Sequence, residues 1–214
     1  QMCIRDRRFG ELVGVFMADD VIVVSEEIAQ HIKQKYGITA IIDTLPTMRK
    51  KRLAPDIITR KYTLKGNDYI LYFGRFVPEK RIEWVVHAFQ MLHPSGVRLV
   101  LAGGSSHTGA YERRLRRLVS DDQFLADRTI FTGWVFGKEK QELLSNCRFF
   151  VLPSSIEGNP LVLQELPKNT LCLIGLHLSM NAPSRAVLYK ENSYGSFLTS
   201  FRSLVTSSSI HTGA

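Results

Sequence analysis

A short cationic segment, GRFVPEK, directly follows an apolar run, YILYFG, that predicts a buried strand. Gly74 lets the backbone approach a ligand closely, and Arg75 and Lys80 place two positive charges after the strand. A guanidinium binds phosphate oxygens as a fork and an ammonium binds them as a compact charge, so the segment predicts contact with phosphate. The alternative is that Glu79 simply pairs with Lys80.

Two carboxylates lie in the segment PSSIEGNPLVLQE, with Glu157 in a predicted loop and Glu165 in the helix that follows. Pro160 suits the first turn of that helix, whose unpaired N–H groups form an anion site. Carboxylates beside such a site can accept hydrogen bonds from hydroxyl groups. This combination fits a sugar diphosphate, and the alternative is an ordinary acidic helix start with Glu157 as its cap.

A glycine pair in AGGSSHTG, residues 102–109, follows another predicted strand. Glycines and hydroxyls there can form a phosphate cradle, although a tight turn is the commoner outcome. The segment is neither a Walker loop nor a G-x-G-x-x-G loop, so we assign it a supporting role at most.

Strands and helices alternate through the sequence and must position these side chains. Ser25 and Gly37 mark the start and end of an upstream helix between two short strands, at residues 19–25 and 38–46. Downstream, predicted strands cover residues 69–74, 97–104, 129–135 and 147–154, and predicted helices cover residues 81–92, 111–119, 138–146 and 160–166. Because parallel strands need a crossover connection, the alternation predicts an α/β fold with a Rossmann-like, doubly wound parallel sheet. Ligands of such sheets bind outside the carboxyl ends of the strands, where the candidate residues lie.

The composition is that of a globular chain, with 44% hydrophobic and 22% charged residues, which excludes bulk disorder and collagen-like structure. No apolar run approaches the roughly 18–20 residues of a membrane helix. Lys and Arg outnumber Asp and Glu by 28 to 20, and the resulting net charge of +8 favours anionic partners. Three cysteines without metal-like spacing predict a reducing compartment and no disulfide framework, and six scattered histidines predict no metal site.

The ordered segments YFGRFVPEKR, RLVLAGG, IFTGWV and FVLPSSIEGNPLVLQE resemble the C-terminal, donor-binding domain of retaining glycosyltransferases with the GT-B fold, the glycosyl transferases group 1 family. The resemblance covers residues 19–165 and includes the family's two glutamates separated by seven residues, Glu157 and Glu165. It implies that Arg75 and Lys80 neutralise the donor diphosphate and stabilise the leaving nucleotide, where other transferases use a metal.

The resemblance implies further roles for the remaining candidates. Glu157 would lie near the donor sugar, and Glu165 would hold the ribose hydroxyls of the nucleotide. Gly74 would admit the phosphates. The loop that would face the diphosphate consists of Asn159, Pro160, Leu161 and Val162. The backbone of Trp134 and Val135 would meet the nucleobase.

The chain departs from the family at both ends, and this sets its predicted organisation. Residues 1–10 start with QMCIRDR, which resembles translated adapter sequence, and we predict a non-native start; residues 11–45 are the end of an N-terminal acceptor domain, and residues 46–68 are a linker. Residues 69–166 are the donor-binding domain. Residues 167–214 lack the family's closing turn and strand, which predicts a divergent tail and an incomplete sheet. A flexible native tail and an out-of-frame or foreign tail both stay open.

The resemblance thus implies a fragment of a glycosyltransferase that moves a sugar from a UDP-, GDP- or ADP-sugar to an unidentified acceptor (a sugar, lipid or protein) with retention of configuration. It implies no metal and no cofactor, and the truncated chain is expected to be inactive because turnover needs two domains closing over the donor. Because nucleotide-sugar donors are supplied in the cytosol, we expect a cytoplasmic protein. The basic surface also leaves open a peripheral contact with an acidic membrane.

Two alternative functions stay open. A phosphate- or nucleic-acid-binding module without transferase activity would use the basic run at residues 49–52 and a helix carrying Arg113, Arg114, Arg116 and Arg117. An epimerase on the same fold would also bind nucleotide sugars, although residues 19–165 are closer to the transferases.

Overall fold

The computed structural model describes residues 4–43, 51–105, 109–155, 157, 160–167, 169–175, 185–190 and 192–207. The chain forms two compact units, the first mainly from residues 1–47 and the second from residues 48–157 and 161–214.

The described residues of the first unit form two helices and two short parallel strands: α1 (Ile4–Phe16), β1 (Ile22–Val23), α2 (Glu26–Tyr36) and β2 (Ile41–Ile42). The predicted ends of α2 are confirmed. Ser25 Oγ accepts a hydrogen bond from the Ile28 N–H at 3.4 Å, and Gly37, with φ of 72°, donates its N–H to the Lys33 carbonyl. Helix α1 begins inside the segment predicted to be non-native, and that prediction is untested by the fold.

The second unit is built on a six-stranded parallel sheet with strand order β5-β4-β3-β6-β7-β8. The strands are β3 (Tyr69–Phe73), β4 (Arg98–Ala102), β5 (Thr129–Gly133), β6 (Phe149–Leu152), β7 (Cys172–Gly175) and β8 (Ala186–Tyr189). The helices are α3 (Ile57–Tyr62), α4 (Ile82–Leu92), α5 (Ala110–Ser120), α6 (Gln123–Arg128), α7 (Gly137–Asn146), α8 (Leu161–Glu165) and α9 (Tyr194–Thr206). The predicted α/β fold with a doubly wound parallel sheet is confirmed.

The strand order reverses direction between β3 and β6. From β3 the chain proceeds outward through β4 and β5, and it then returns to β6 on the other side of β3 before proceeding through β7 and β8. Such a switch point leaves a crevice at the carboxyl ends of the two central strands. The loops after β3 and β6, which carry the predicted phosphate cations and the first glutamate, therefore lie side by side.

The segment before the sheet is packed into the second unit, in contrast to the predicted surface linker at residues 46–68. Ile58 and Leu64 are fully buried in the main core. The buried Glu142 carboxylate on α7 accepts hydrogen bonds from the backbone N–H groups of Asp56 (2.9 Å) and Ile58 (3.2 Å). A buried carboxylate needs such donors, so α7 holds this segment against the domain.

The sheet also continues beyond residue 166, where the sequence predicted no closing element. Strand β7 pairs with β6, β8 pairs with β7, and α9 packs against α4. The prediction of an incomplete sheet was wrong because β7 is buried on both faces. Such a strand appears in the sequence as a continuous apolar run, here LCLIG, and lacks the alternation that marks a half-exposed strand. Whether residues 167–214 are native in origin stays a separate prediction.

The described cysteines, Cys147 and Cys172, are buried free thiols. Burial raises the pKa of the Cys147 thiol from 9.0 to about 12. The unfolded chain therefore releases this proton at lower pH than the folded chain, so the thiol's contribution to stability is complete below pH 9 and is lost as the pH rises toward 12.

We expect the free energy of unfolding to fall with pH above 9, with a slope from Cys147 that approaches about 1.4 kcal/mol per pH unit once the thiol of the unfolded chain is fully ionised. Urea unfolding of the wild type and of Cys147→Ala between pH 8 and 10 measures this contribution as the difference between the two slopes. Equal slopes would contradict the prediction, whatever the absolute stabilities.

Candidate functional site

The loops after β3 and β6 are joined at the carboxyl edge of the sheet. A single 3-10 turn, Pro78–Lys80, follows β3. Its Glu79 carbonyl accepts hydrogen bonds from the Ser155 N–H (2.9 Å) and the Ser155 hydroxyl (3.1 Å) in the loop after β6. The two predicted segments thus form one site.

Lys80 and Glu157 form an ion pair at the centre of this site. The Lys80 ammonium donates to Glu157 Oε1, and the Ser154 hydroxyl donates to the same oxygen at 2.8 Å. The two charged side chains are only 14% and 13% exposed, and Ser154 is buried. The sequence left open a pairing of Lys80 with Glu79. In the structure Lys80 pairs instead with Glu157, across the crevice.

Backbone contact between glycines brings the loops after β3 and β4 together. The Gly74 N–H donates to the Ala102 carbonyl at 3.0 Å, and a Cβ on Gly103 would lie 1.9 Å from the Gly74 carbonyl oxygen. Gly103 also has φ of +126°, a region that favours glycine. The glycine pair after β4 therefore supports the loop after β3 by close approach.

Gly103→Ala is expected to cost about 1–3 kcal/mol in backbone strain and, in addition, to displace the Gly74 carbonyl. Gly96→Ala is the matched control, because Gly96 has φ of +70° but no described atom lies within 4 Å of its Cβ position. Urea unfolding should show a larger loss for Gly103→Ala, and equal losses would refute the close-approach argument.

Arg75 is exposed at the same edge of the sheet. Its backbone carbonyl accepts a hydrogen bond from the Tyr72 hydroxyl at 2.9 Å. Burial raises the pKa of Tyr72, so this hydroxyl stays protonated and fixes the backbone from which the guanidinium extends. The phosphate contact predicted for Arg75 stays a prediction.

Trp134 and Val135 directly follow β5, the strand that lies next to β4 in the sheet. The Trp134 side chain is 48% exposed, and its Nε1 would lie 3.1 Å from a Cβ on Gly104. Val135 is buried in the main core. An exposed indole therefore lies beside the glycine loop, and the backbone contact with a nucleobase stays a prediction.

The second glutamate lies at the end of the short helix α8. Pro160 is buried and precedes this helix, Leu161 is 46% exposed, and Val162 packs against the main core, whereas Asn159 lies outside the described residues. Glu165 Oε2 is 2.5 Å from the Lys140 ammonium on α7. Lys140 was absent from the predicted site, because nothing in the sequence KEKQE distinguishes it from Lys138.

The described part of the chain contains no cluster of three or more histidine, cysteine, aspartate or glutamate side chains arranged to hold a metal ion. No described helix is long and apolar enough to cross a membrane.

Comparison with solved structures shows the same fold in several proteins. Anabaena HepE, solved in complex with UDP and glucose, superposes with a TM-score of 0.77 at 14% sequence identity, over 96% of this chain and 59% of HepE. A sucrose-phosphate synthase from Thermosynechococcus elongatus gives a TM-score of 0.74 at 23% identity, over 93% of this chain and 53% of that protein. WaaG, a glycosyltransferase involved in lipopolysaccharide biosynthesis, gives 0.73 at 14% identity, over 97% and 60% of the two chains.

Sequence comparison agrees with the structural neighbours. An uncharacterized glycosyltransferase, YqgM of Bacillus subtilis strain 168, is 29% identical over 163 residues, which cover 74% of this chain and 42% of YqgM. The chain therefore spans less than half the length of that relative. The profile of the glycosyl transferases group 1 family matches residues 67–192, which include β3 through β8 and the paired loops of the site. This chain belongs to the glycosyl transferases group 1 family.

Proposed function

We propose that the second unit binds a nucleotide-sugar donor and is the donor half of a glycosyltransferase that retains anomeric configuration. The observation that carries the proposal is the ion pair between Lys80 and Glu157 at the switch point of the sheet. The pair joins a cation suited to phosphate and an acceptor suited to sugar hydroxyls, which supports the proposal.

In this proposal the diphosphate lies against Gly74, Arg75 and Lys80. As the bond to the sugar breaks, negative charge develops on the departing nucleotide, and fixed cations stabilise that charge without reorganising. Glu157 accepts hydrogen bonds from the donor sugar, and Glu165 accepts them from the ribose. Transfer to an acceptor is proposed to need more protein than these 214 residues, since the chain spans 42% of YqgM.

UDP is the first ligand to test, because the HepE structures were solved with UDP and UDP-glucose. Thermal unfolding of the chain should be measured with millimolar UDP, GDP and ADP. A ligand present at 100 times its dissociation constant stabilises the folded state by about 2.7 kcal/mol, which raises the midpoint by several degrees. We expect a shift with one nucleotide and loss of that shift in Glu165→Ala.

Competition between a nucleotide and a polyanion tests the alternative of a nucleic-acid-binding module. The basic helix α5 favours that alternative, yet its Arg116 is already paired with Glu112 at 2.8 Å and lies over the Phe131 ring. A donor site should release a polyanion when the nucleotide is added, whereas a basic surface should release it only with salt. No shift with any nucleotide, together with tight, salt-sensitive polyanion binding, would overturn the proposed function.

A further inference from the structure

Lys140 contacts two separate parts of the candidate site. Its ammonium lies 2.5 Å from Glu165 Oε2 and 5.0 Å from the centroid of the Phe73 ring. Phe73 is the last residue of β3 and directly precedes Gly74. One side chain on α7 thus joins the strand that leads into the phosphate loop to the carboxylate at the end of α8.

The pair is sheltered enough to fix the carboxylate. The side chains of Lys140 and Glu165 are 23% and 27% exposed, and they line a small cleft with Gln141 and Leu144. Helix α8 has only five residues, so it cannot by itself hold the Glu165 side chain rigidly. A charge-assisted contact from a longer, separately anchored helix supplies that restraint.

Helix α7 is itself anchored to the rest of the unit. Its Glu142 accepts hydrogen bonds from the backbone of the segment before the sheet, and Asn146 donates to the Leu53 carbonyl at 2.9 Å. The helix that carries Lys140 is therefore fixed within the unit. The ion pair with Lys140 restrains the position of the Glu165 side chain.

We propose that Lys140 is a positioning residue that holds Glu165 for the ribose hydroxyls and so makes the site select ribonucleotides over 2′-deoxyribonucleotides. With Oε2 engaged by the ammonium, Oε1 remains as the acceptor for hydroxyl groups. A site built to hydrogen-bond a hydroxyl rejects the analogue that lacks it. This inference rests on the proposed function, because it assigns a second residue to the same nucleotide site.

The experiment uses the whole chain and isothermal titration calorimetry. Whichever of UDP, GDP and ADP binds the wild type is compared with its 2′-deoxy analogue, in the wild type, Lys140→Met, Lys140→Arg and the control Lys138→Met. Lys138 is on the same helix and also faces carboxylates, with Asp56 at 3.3 Å and Glu142 at 3.7 Å, but it is 58% exposed and does not contact Glu165. Unfolding midpoints establish that each variant is folded.

We expect the wild type and Lys138→Met to prefer the ribonucleotide about tenfold, as for the loss of one hydrogen bond to a charged group. Lys140→Met should weaken ribonucleotide binding to nearly the level of the 2′-deoxy analogue, and Lys140→Arg should restore part of the preference. Equal weakening of both nucleotides, or an unchanged preference in Lys140→Met, would overturn the inference while leaving the proposed function intact. Failure of the wild type to bind any nucleotide would refute both.

Discussion

Phe201→Ala in α9 is expected to lower the free energy of unfolding by about 3–5 kcal/mol, a large part of the stability of an ordinary domain. Phe201 is fully buried, and its ring meets Phe149 of β6 edge to face, with centroids 5.5 Å apart. It also packs against Phe197, one turn earlier on the same helix. Truncation would leave a cavity against a central strand, which neighbouring rings cannot fill without moving.

Phe136→Ala is the matched control for this prediction. Phe136 is also a phenylalanine of the second unit but is 73% exposed, so its truncation should change stability by no more than about 0.5 kcal/mol. Urea unfolding, with wild type and both variants under the same conditions, measures the two losses. A loss for Phe201→Ala as small as that for Phe136→Ala would show that α9 does not cover the sheet, and that the domain ends near residue 166 as the sequence predicted.

Lys80→Met is expected to weaken nucleoside diphosphate binding by 100-fold or more, whereas Glu157→Gln should strengthen it severalfold. The charge of Lys80 is balanced by Glu157. Removing the lysine deletes a charge-assisted contact and leaves a sheltered carboxylate facing the phosphates, so both changes oppose binding. Removing the carboxylate charge leaves the ammonium available to the incoming anion.

The two substitutions should be combined and measured by calorimetry with the nucleotide that binds the wild type. Because the residues are in contact, the double variant should bind better than Lys80→Met alone, and the difference gives the coupling. Lys61→Met is the control, since Lys61 pairs with Glu139 at 2.9 Å on an exposed surface and its loss should leave affinity unchanged. If Glu157→Gln weakens binding as much as Lys80→Met does, the carboxylate contacts the ligand or the fold directly rather than competing for the lysine.

Local features of the fold could be predicted from neighbouring residues. The capped helix after Ser25 and the four strands from β3 to β6 follow from apolar runs, capping side chains and glycines whose effects extend over a few residues. The helix α6 was missed although Asp122 caps it, accepting from the Leu125 N–H at 2.9 Å, because six residues show too little periodicity. The parallel arrangement followed from the alternation of strands and helices.

The tertiary structure alone decided which of these side chains act together. Lys80 and Glu157 are 77 residues apart, and the sequence could not show that one would pair with the other rather than with Glu79. The same holds for Lys140 with Glu165 and for the burial of β7 and of Phe197 and Phe201 on α9. Capping and periodicity depend on neighbours along the chain, whereas ion pairs and strand pairing depend on the switch point, which brings the ends of β3 and β6 together only when the whole sheet forms.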